Sequence, residues 1–260
     1  MGPKKYLGQH FLTAVSYAER IANSVGAGQE ENVLEIGPGR GALSIHLKNR
    51  YPSFHCVEID SDLIAGLTRK LGAGTWTLHH CDVLAFDFAK AGFPLHVVGN
   101  LPYSIGAMVI RKTLSYGEKI LSCTFMVQRE VAQRIAAKPH SKRMGFLSVF
   151  CQFFGTPKIL FTVPPGAFFP KPAVESAVLR LAVERNLESK LPRRSWEDFF
   201  GFVDKGFRMR RKMLVNVLGH NGGKERYAEI LAQMKTGAGV RAEDLGPDKW
   251  LELYKKSCGL

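Results

Sequence analysis

Five short apolar runs, each closing on polar residues and separated by helix-like stretches, constrain this chain more than any other feature. They are "NVLEIG" (32–37), "HCVEID" (55–60), "LHHCD" (78–82), "LHVVGN" (95–100) and "CTFMVQ" (123–128), with segments such as "ALSIHLKN" and "DLIAGLTRKL" between them. Strands that alternate with helical patterns form βαβ units, and these imply an α/β fold with a mainly parallel sheet and helices on both faces. In such sheets ligands bind beyond the carboxyl ends of the strands. Glu58, Asp82 and Asn100 each close, or nearly close, one of these runs and so sit at such ends.

An amphipathic helix opens the domain, because Ala18, Ile21, Ala22 and Val25 fall at helical spacing and Gly26 supplies a stop. After the fifth run, "GFLSVFCQFFG" (145–155) fits a buried helix or a strand equally well. "KILFTV" and "AVESAVLRLAV" read as two further strands. The proline-rich "PPGAFFPKP" between them is too short for a helical crossover, so the pair is antiparallel. Beyond the charged "ERNLESKLPRR", Ser195-Trp196-Glu197-Asp198 forms a capping-box pattern, and Trp196, Phe199, Phe200, Val203 and Phe207 recur at helical spacing. The rest of the chain therefore reads as a small helical domain.

"LEIGPGRGAL" places Gly37, Gly39 and Ala42 in the G-x-G-x-x-G/A spacing between a strand and a helix. Bare backbone there lets a ligand approach and lets the loop take positive φ. Glu58 ends the next strand about twenty residues on, where a carboxylate accepts hydrogen bonds from ribose hydroxyls. A nucleoside-containing ligand follows, and both a nicotinamide dinucleotide and S-adenosylmethionine fit. Asp82, ending the third strand, is placed to accept from the exocyclic amine of adenine.

With 260 residues, 45% hydrophobic and 23% charged, the chain can bury a large core and carry an appendage. No apolar run approaches the roughly 18 residues of a membrane helix. The formal net charge of +13 favours a polyanionic partner, nucleic acid or an anionic membrane surface. Arg129, Arg134, Lys138, Lys142 and Arg143 form one basic cluster, and Arg208, Arg210, Arg211 and Lys212 another. Such groups suit phosphates. Cys56, Cys81, Cys123, Cys151 and Cys258 are scattered and never form C-x-x-C, so neither a disulfide framework nor a metal site is expected. "MGPKKYLGQHFL" lacks the apolar core of a signal peptide, and Tyr6 stands where a myristoylation motif wants Ser or Thr, so a cytoplasmic address is expected.

Taken together, "YLGQHFL", "VLEIGPGRGALS", "VEID", "HHCDVL", "VVGNLPYSI", "MVQREVAQRIAAKPHSKRMGFLSV", "VPPGAFFPKPAVESAV" and "FRMRRKMLVNVL" resemble the rRNA adenine dimethyltransferase family. The resemblance runs from about residue 4 to 218, with Glu175 in place of the usual aspartate and Met209 in place of a polar residue. It implies a Rossmann-like class I methyltransferase fold with a seven-stranded, mainly parallel sheet and an antiparallel last strand. The change of character at "ERNLESKLPRR" divides the chain into a catalytic domain, 1–188, and a helical domain, 189–260, that is expected to dock on the ribosomal particle. The implied reaction is S-adenosylmethionine-dependent dimethylation of two adjacent adenosines in the 3′-terminal hairpin loop of small-subunit rRNA, by a monomer acting on a pre-30S or 30S particle.

In that family the N-terminal segment folds over the cofactor, which by position implicates His10 and Leu12. The resemblance makes Gly37 part of the cofactor loop, Glu58 the ribose ligand, Asp82 the adenine contact and Asn100 a residue touching both cofactor and target base. Asp60 is either a further ligand or only the cap of the following helix.

An adenine amine is a poor nucleophile, its lone pair being delocalised into the ring. The Asn100 side-chain oxygen and the Leu101 carbonyl can accept its two hydrogens and free that pair. Pro102 has no N–H and biases Leu101 toward extended backbone, which stiffens the turn. Tyr103 can stack on the base, and Phe168, by family position, covers the other face, with Phe169 ranked second. No general base is required. The competing readings are a non-catalytic assembly factor that kept the fold, a DNA adenine methyltransferase, and a nicotinamide-dependent oxidoreductase resting on the glycine spacing alone.

Overall fold

Strand-forming runs and intervening helices are realised in the computed structural model, which describes Lys4 and residues 8–28, 30–220, 223–237 and 239–259. Tyr6 and Leu7 of the "YLGQHFL" motif lie outside the described residues. The chain divides into two compact units, Met1–Ala132 with Thr156–Arg185, and Gln133–Gly155 with Asn186–Leu260.

The first unit contains β1 (Phe11–Leu12), α1 (Val15–Asn23), β2 (Asn32–Ile36), α2 (Ser44–Lys48), β3 (Phe54–Glu58), α3 (Ser61–Leu71), β4 (Trp76–His80), β5 (Leu95–Asn100), α4 (Gly106–Ser115) and β6 (Ile120–Gln128). After the excursion through the second unit it adds β7 (Pro157–Val163), β8 (Phe168–Phe169) and β9 (Ser176–Ala182). Seven of these strands form one sheet in the order β4-β3-β2-β5-β6-β9-β7, and β1 pairs with β8 in a separate two-stranded ribbon. The pairs β2–β3, β3–β4, β2–β5 and β5–β6 are parallel, while β9 runs antiparallel to both β6 and β7.

From β2 the chain steps outward through β3 to β4, then returns across the sheet to β5 and proceeds the other way. Because such crossovers are right-handed, the helices of the two halves fall on opposite faces. The reversal creates a switch point between β2 and β5, whose carboxyl ends are where a ligand binds. Apolar side chains fix the platform: Ala18, Ile21 and Ala22 of α1 pack with Val33, Leu47, Phe54, Cys56 and Val98 in one buried cluster.

At the switch point Ile36 stands opposite Gly99. A Cβ built on Gly99 would lie 2.6 Å from the Ile36 carbonyl oxygen, a backbone atom held by the sheet. Glycine is therefore a packing requirement one residue before Asn100. Gly99→Ala is expected to cost about 1–3 kcal/mol of stability, the usual penalty for overpacking. Urea unfolding of the variant beside the wild type checks it.

The second unit is helical. Helix α5 (Arg129–Ile135) leads the chain into it, followed by α6 (Phe146–Phe154), α7 (Leu187–Lys190), α8 (Trp196–Phe207), α9 (Leu214–Leu218), α10 (Lys224–Gln233) and α11 (Pro247–Cys258). The ambiguous "GFLSVFCQFFG" is thus a helix. It is apolar on nearly all sides because aromatic partners surround it: Phe150 lies 4.5 Å from Phe200, Phe154 5.1 Å from Trp196 and Phe153 5.4 Å from Phe199, between ring centroids. This cluster is why 133–155 groups with the C-terminal helices, whereas the sequence reading placed those residues in a domain ending at 188.

The expected capping box at Ser195 does not form. Ser195 ends a 3₁₀ turn (Arg193–Ser195) with helical φ and ψ of −97° and 0°, so its side chain makes no cap hydrogen bond. The start of α8 is fixed instead by Trp196, whose indole N–H donates to the Leu191 carbonyl at 2.9 Å. Among the described residues no helix is long and apolar enough to cross a membrane.

Candidate active site

The carboxyl ends of β2, β3 and β5 and the loop after β4 enclose a cavity of about 240 Å³, lined by His10, Leu12, Gly37, Glu58, Asp82, Asn100, Leu101, Pro102 and Tyr103 together with Glu35, Arg40 and Ile59. All nine of the first group are positions singled out from sequence. Phe168 is the exception: it does not line the cavity.

The glycine loop is braced internally. Gly37 N–H donates to Val57 O at 2.9 Å, Gly39 N–H to Glu58 Oε2 at 3.0 Å and Gly41 N–H to Pro38 O at 2.8 Å. All three glycines have positive φ, between 57° and 69°. The N–H groups of these three glycines are therefore committed within the protein. Gly37 has open space where a Cβ would stand, and a Cβ on Gly39 would press within 3.2 Å of the Phe11 ring.

Glu58 is buried and accepts three backbone hydrogen bonds, from Gly39 N–H on Oε2 and from Ile59 and Asp60 N–H on Oε1 at 2.9 Å each. A carboxylate offers about four acceptor positions. Roughly one remains for a ligand hydroxyl, on Oε2, so two ribose hydroxyls would compete with Gly39 for it.

Asp82 Oδ1 accepts from Leu84 N–H at 2.8 Å, which fixes the carboxylate at the cavity edge. Of the two roles considered for Asp60, the structure shows the cap, and Asp60 does not line the cavity. It caps α3 through Asp62 N–H and also receives Lys4 Nζ at 2.5 Å and Gln9 Nε2 at 2.7 Å. Burial works to raise its carboxyl, but the hydrogen bonds from Lys4 and Gln9 outweigh this and hold it below its ordinary value. Lys4, which also reaches Asp62 at 2.7 Å, is raised above the usual lysine range by those two acids.

His10 joins this N-terminal segment to the β5 end. Its backbone carbonyl accepts from Asn100 Nδ2 at 3.0 Å, its Nδ1 lies 2.8 Å from the Pro170 carbonyl, and its ring stacks on Tyr103 at 5.5 Å and 29°. An amide whose NH₂ is spent on a carbonyl presents Oδ1 as its acceptor, and no described residue donates to that oxygen. Leu101 is buried and donates its N–H to Met126 O at 3.0 Å, while its own carbonyl receives no donor among the described residues. Two acceptors thus stand together at the end of β5.

Phe168 is 5% exposed and belongs to the core cluster with Leu12, its partner in the β1–β8 pair. Strand alternation turns the next side chain to the opposite side, and Phe169 is 56% exposed. Glu35 is the residue that sequence reasoning passed over. It is a carboxyl 2% exposed near the carboxyl end of β2, and burial, with the charge of Glu58 adding to it, pushes it up to about 8. The signal was present as an acid inside the otherwise apolar "NVLEI".

The basic positions are of two kinds. Arg129 pairs with Glu175 through its guanidinium and also donates its backbone N–H to the Glu175 carbonyl at 2.9 Å, so it is not the free phosphate ligand expected. Arg210 is likewise engaged: it donates to the carbonyls of Lys142 and Met144 at 2.8 Å each and lies 3.5 Å from Glu243. Arg208 lies 3.4 Å from Asp204, and Arg134 is exposed on α5. Lys138, Arg143, Arg211 and Lys212 are exposed with no carboxylate partner among the described residues. By holding 142–144, Arg210 brings Lys142 and Arg143 of the first basic cluster beside the second, within the second unit.

A doubly wound sheet with a braced glycine loop, acids at successive strand ends and Asn-Leu-Pro-Tyr at the switch point has the fold of a class I methyltransferase. A family model for ribosomal RNA adenine dimethylase matches residues 3–257. Ribosomal RNA small subunit methyltransferase A of Rubrobacter xylanophilus is 39% identical over 259 residues, 98% of this chain and 95% of that protein. The protein of the same name from Xanthomonas campestris pv. campestris (strain B100) is 42% identical over 218 residues, 83% of this chain and 82% of its own. A crystal structure of a dimethyladenosine transferase from Plasmodium falciparum shares the fold, with a TM-score of 0.81 at 20% identity over 95% of this chain and 98% of that one. This chain belongs to the ribosomal RNA adenine dimethylase family.

Proposed function

We propose that the cavity binds S-adenosylmethionine and that the chain transfers its methyl group to the exocyclic amines of two adjacent adenosines in the 3′-terminal hairpin loop of small-subunit rRNA. It acts as a cytoplasmic monomer on a pre-30S or 30S particle. The observation that carries this reading is the paired, unclaimed acceptors at the β5 end, Asn100 Oδ1 and the Leu101 carbonyl.

The cofactor is chosen by charge. Three carboxyls, Glu35, Glu58 and Asp82, line the cavity. They suit a ligand with an ammonium, a sulfonium and sugar hydroxyls. A pyrophosphate would meet those acids, which disfavours the nicotinamide alternative. When bound, S-adenosylmethionine supplies an activated methyl group.

The chain's own contribution is orientation. Asn100 and Leu101 take the amine hydrogens, Pro102 stiffens the turn and Tyr103 stacks on the base. Positioning of this kind is a large part of the acceleration in a displacement reaction. After one transfer the amine keeps a single hydrogen, so either acceptor alone must suffice for the second. Lys138, Arg143, Arg211 and Lys212 serve rRNA phosphates, and Arg210 shapes that surface rather than touching RNA.

Phe168 in the core and Phe169 outside it lead to different expectations. Phe169→Ala is expected to weaken RNA-dependent activity by about tenfold, the value of one base–aromatic stack, with little change in thermal stability. Phe168→Ala is expected to lower stability by about 3–5 kcal/mol. Melting and methylation measured together separate them. The reading as a whole is tested with labelled S-adenosylmethionine and unmodified small subunits: label is expected in dimethyladenosine, and label in DNA but not rRNA would overturn it.

A further inference from the structure

We infer that Ser176 is a positioning residue for methyl transfer, acting through the hydroxyl of Tyr103. The inference rests on Asn100–Tyr103 being the base site. Ser176 opens β9 and is completely buried, and its Oγ lies 2.7 Å from the Tyr103 phenol oxygen. The serine is itself immobile, because it stands opposite Gln128 on β6 and opposite Val163 on β7. A hydroxyl flanked by two paired strands is a fixed point.

Tyr103 follows β5 in a turn, and a tyrosine there keeps two soft side-chain torsions unless something holds the far end of the ring. The Ser176 tether does so. His10 removes the remaining freedom by stacking on one face at 5.5 Å, with its imidazole held by the Pro170 carbonyl at 2.8 Å. A carbonyl only accepts, so Nδ1 is the donor in that bond. Tyr103 is thus backed on one face and pinned at its tip, and offers a base its other face. Burial pushes the phenol above its ordinary value, which keeps it protonated.

The consequence is kinetic. A ring free to tilt still stacks, but it holds the adenine amine less well against Asn100 and Leu101, and displacements near 1 Å are costly in a positioned reaction. The serine of "AVESAV" and the tyrosine of "NLPY" thereby form one functional pair, although 73 residues separate them.

A double-mutant cycle tests this. Wild type, Ser176→Ala, Tyr103→Phe and the double variant are compared in single-turnover methylation of unmodified small subunits at saturating S-adenosylmethionine, with cofactor affinity measured by calorimetry. Each single change is expected to slow the reaction about tenfold, the value of one hydrogen bond, with cofactor affinity retained. The double variant is expected to be no slower than the singles, and Ser176→Thr to recover most of the rate. Losses that multiply in the double variant, or a Ser176→Ala rate equal to wild type, overturn the inference. If Ser176→Ala fails to bind cofactor and melts early, Ser176→Cys, which keeps the volume, carries the same cycle. A wild type that binds cofactor and leaves adenosine unlabelled would overturn the functional reading instead.

Discussion

Asn100→Ala is expected to slow single-turnover adenine methylation by about 10²–10³-fold, the loss seen when a preorganised hydrogen-bonding group facing the reacting atoms is removed. The side-chain amide is oriented by what it gives away. Its NH₂ donates to the His10 carbonyl, so Oδ1 is left as the acceptor for an amine hydrogen. Asn100→Asp sharpens the expectation, because it keeps the acceptor and loses the donor. A carboxylate facing the His10 carbonyl is repelled, so this variant is expected to lose activity nearly as severely as alanine and to loosen the N-terminal segment as well. Rapid-quench measurement of labelled adenosine gives the rate, and hydrogen exchange at residues 8–12 gives the loosening. If Asn100→Asp reacted at the wild-type rate, the donated bond to His10 would have no part in orienting the group.

The site was readable from sequence because its parts are short and local. A strand that ends in Asn-Leu-Pro-Tyr, a glycine turn after another strand and acids at the ends of two more need only the βαβ pattern to be brought together. The ordering of the sheet then places β2 beside β5, and Ile36 and Gly99, the residues that precede Gly37 and Asn100, stand opposite each other. What remained hidden depends on partners far away in the chain. Nothing in "MVQRE" announces that Arg129 meets Glu175, and nothing in "FRMRRK" announces that Arg210 closes on the carbonyls of Lys142 and Met144. Both arginines look like phosphate ligands until their partners are seen.

The same reason explains the helical unit. An all-apolar segment such as "GFLSVFCQFFG" carries no period that separates helix from strand, since a helix buried on every side needs no polar face. Its helical state follows from aromatic contacts with residues some fifty positions further along, among them Trp196, Phe199 and Phe200. Ser195 shows the converse failure. A four-residue capping pattern matched, but the preceding 3₁₀ turn put the serine in helical backbone, where its side chain does not reach the N–H groups it was expected to cap. Phe168 and Phe169 differ only by strand alternation, which a family position carries no information about when the partner strand is two residues long.

Glu35 is expected to make the protein less stable as pH rises. In the folded chain burial keeps its carboxyl neutral up to about pH 8, whereas an ordinary glutamate ionises near 4.5. Between those values the folded state holds a proton that the unfolded state has lost, so stability falls with pH through that window and levels off above it. At about 1.4 kcal/mol per pH unit the loss is on the order of 2–5 kcal/mol. Glu35→Gln keeps the shape and cannot ionise. It is expected to match wild type near pH 4.5 and to exceed it by on the order of 2–4 kcal/mol above pH 8. Urea unfolding of both proteins at pH 4.5, 6.5 and 8.5 measures the difference, and a gap that does not change with pH would refute the buried neutral acid. The stability given up has a counterpart in the cavity, because Glu35 lines it together with Glu58 and Asp82. A cationic ligand favours the ionised carboxylate, so binding of S-adenosylmethionine at pH 7 is expected to release a proton from wild type and not from Glu35→Gln, read by calorimetry in buffers of different ionisation enthalpy.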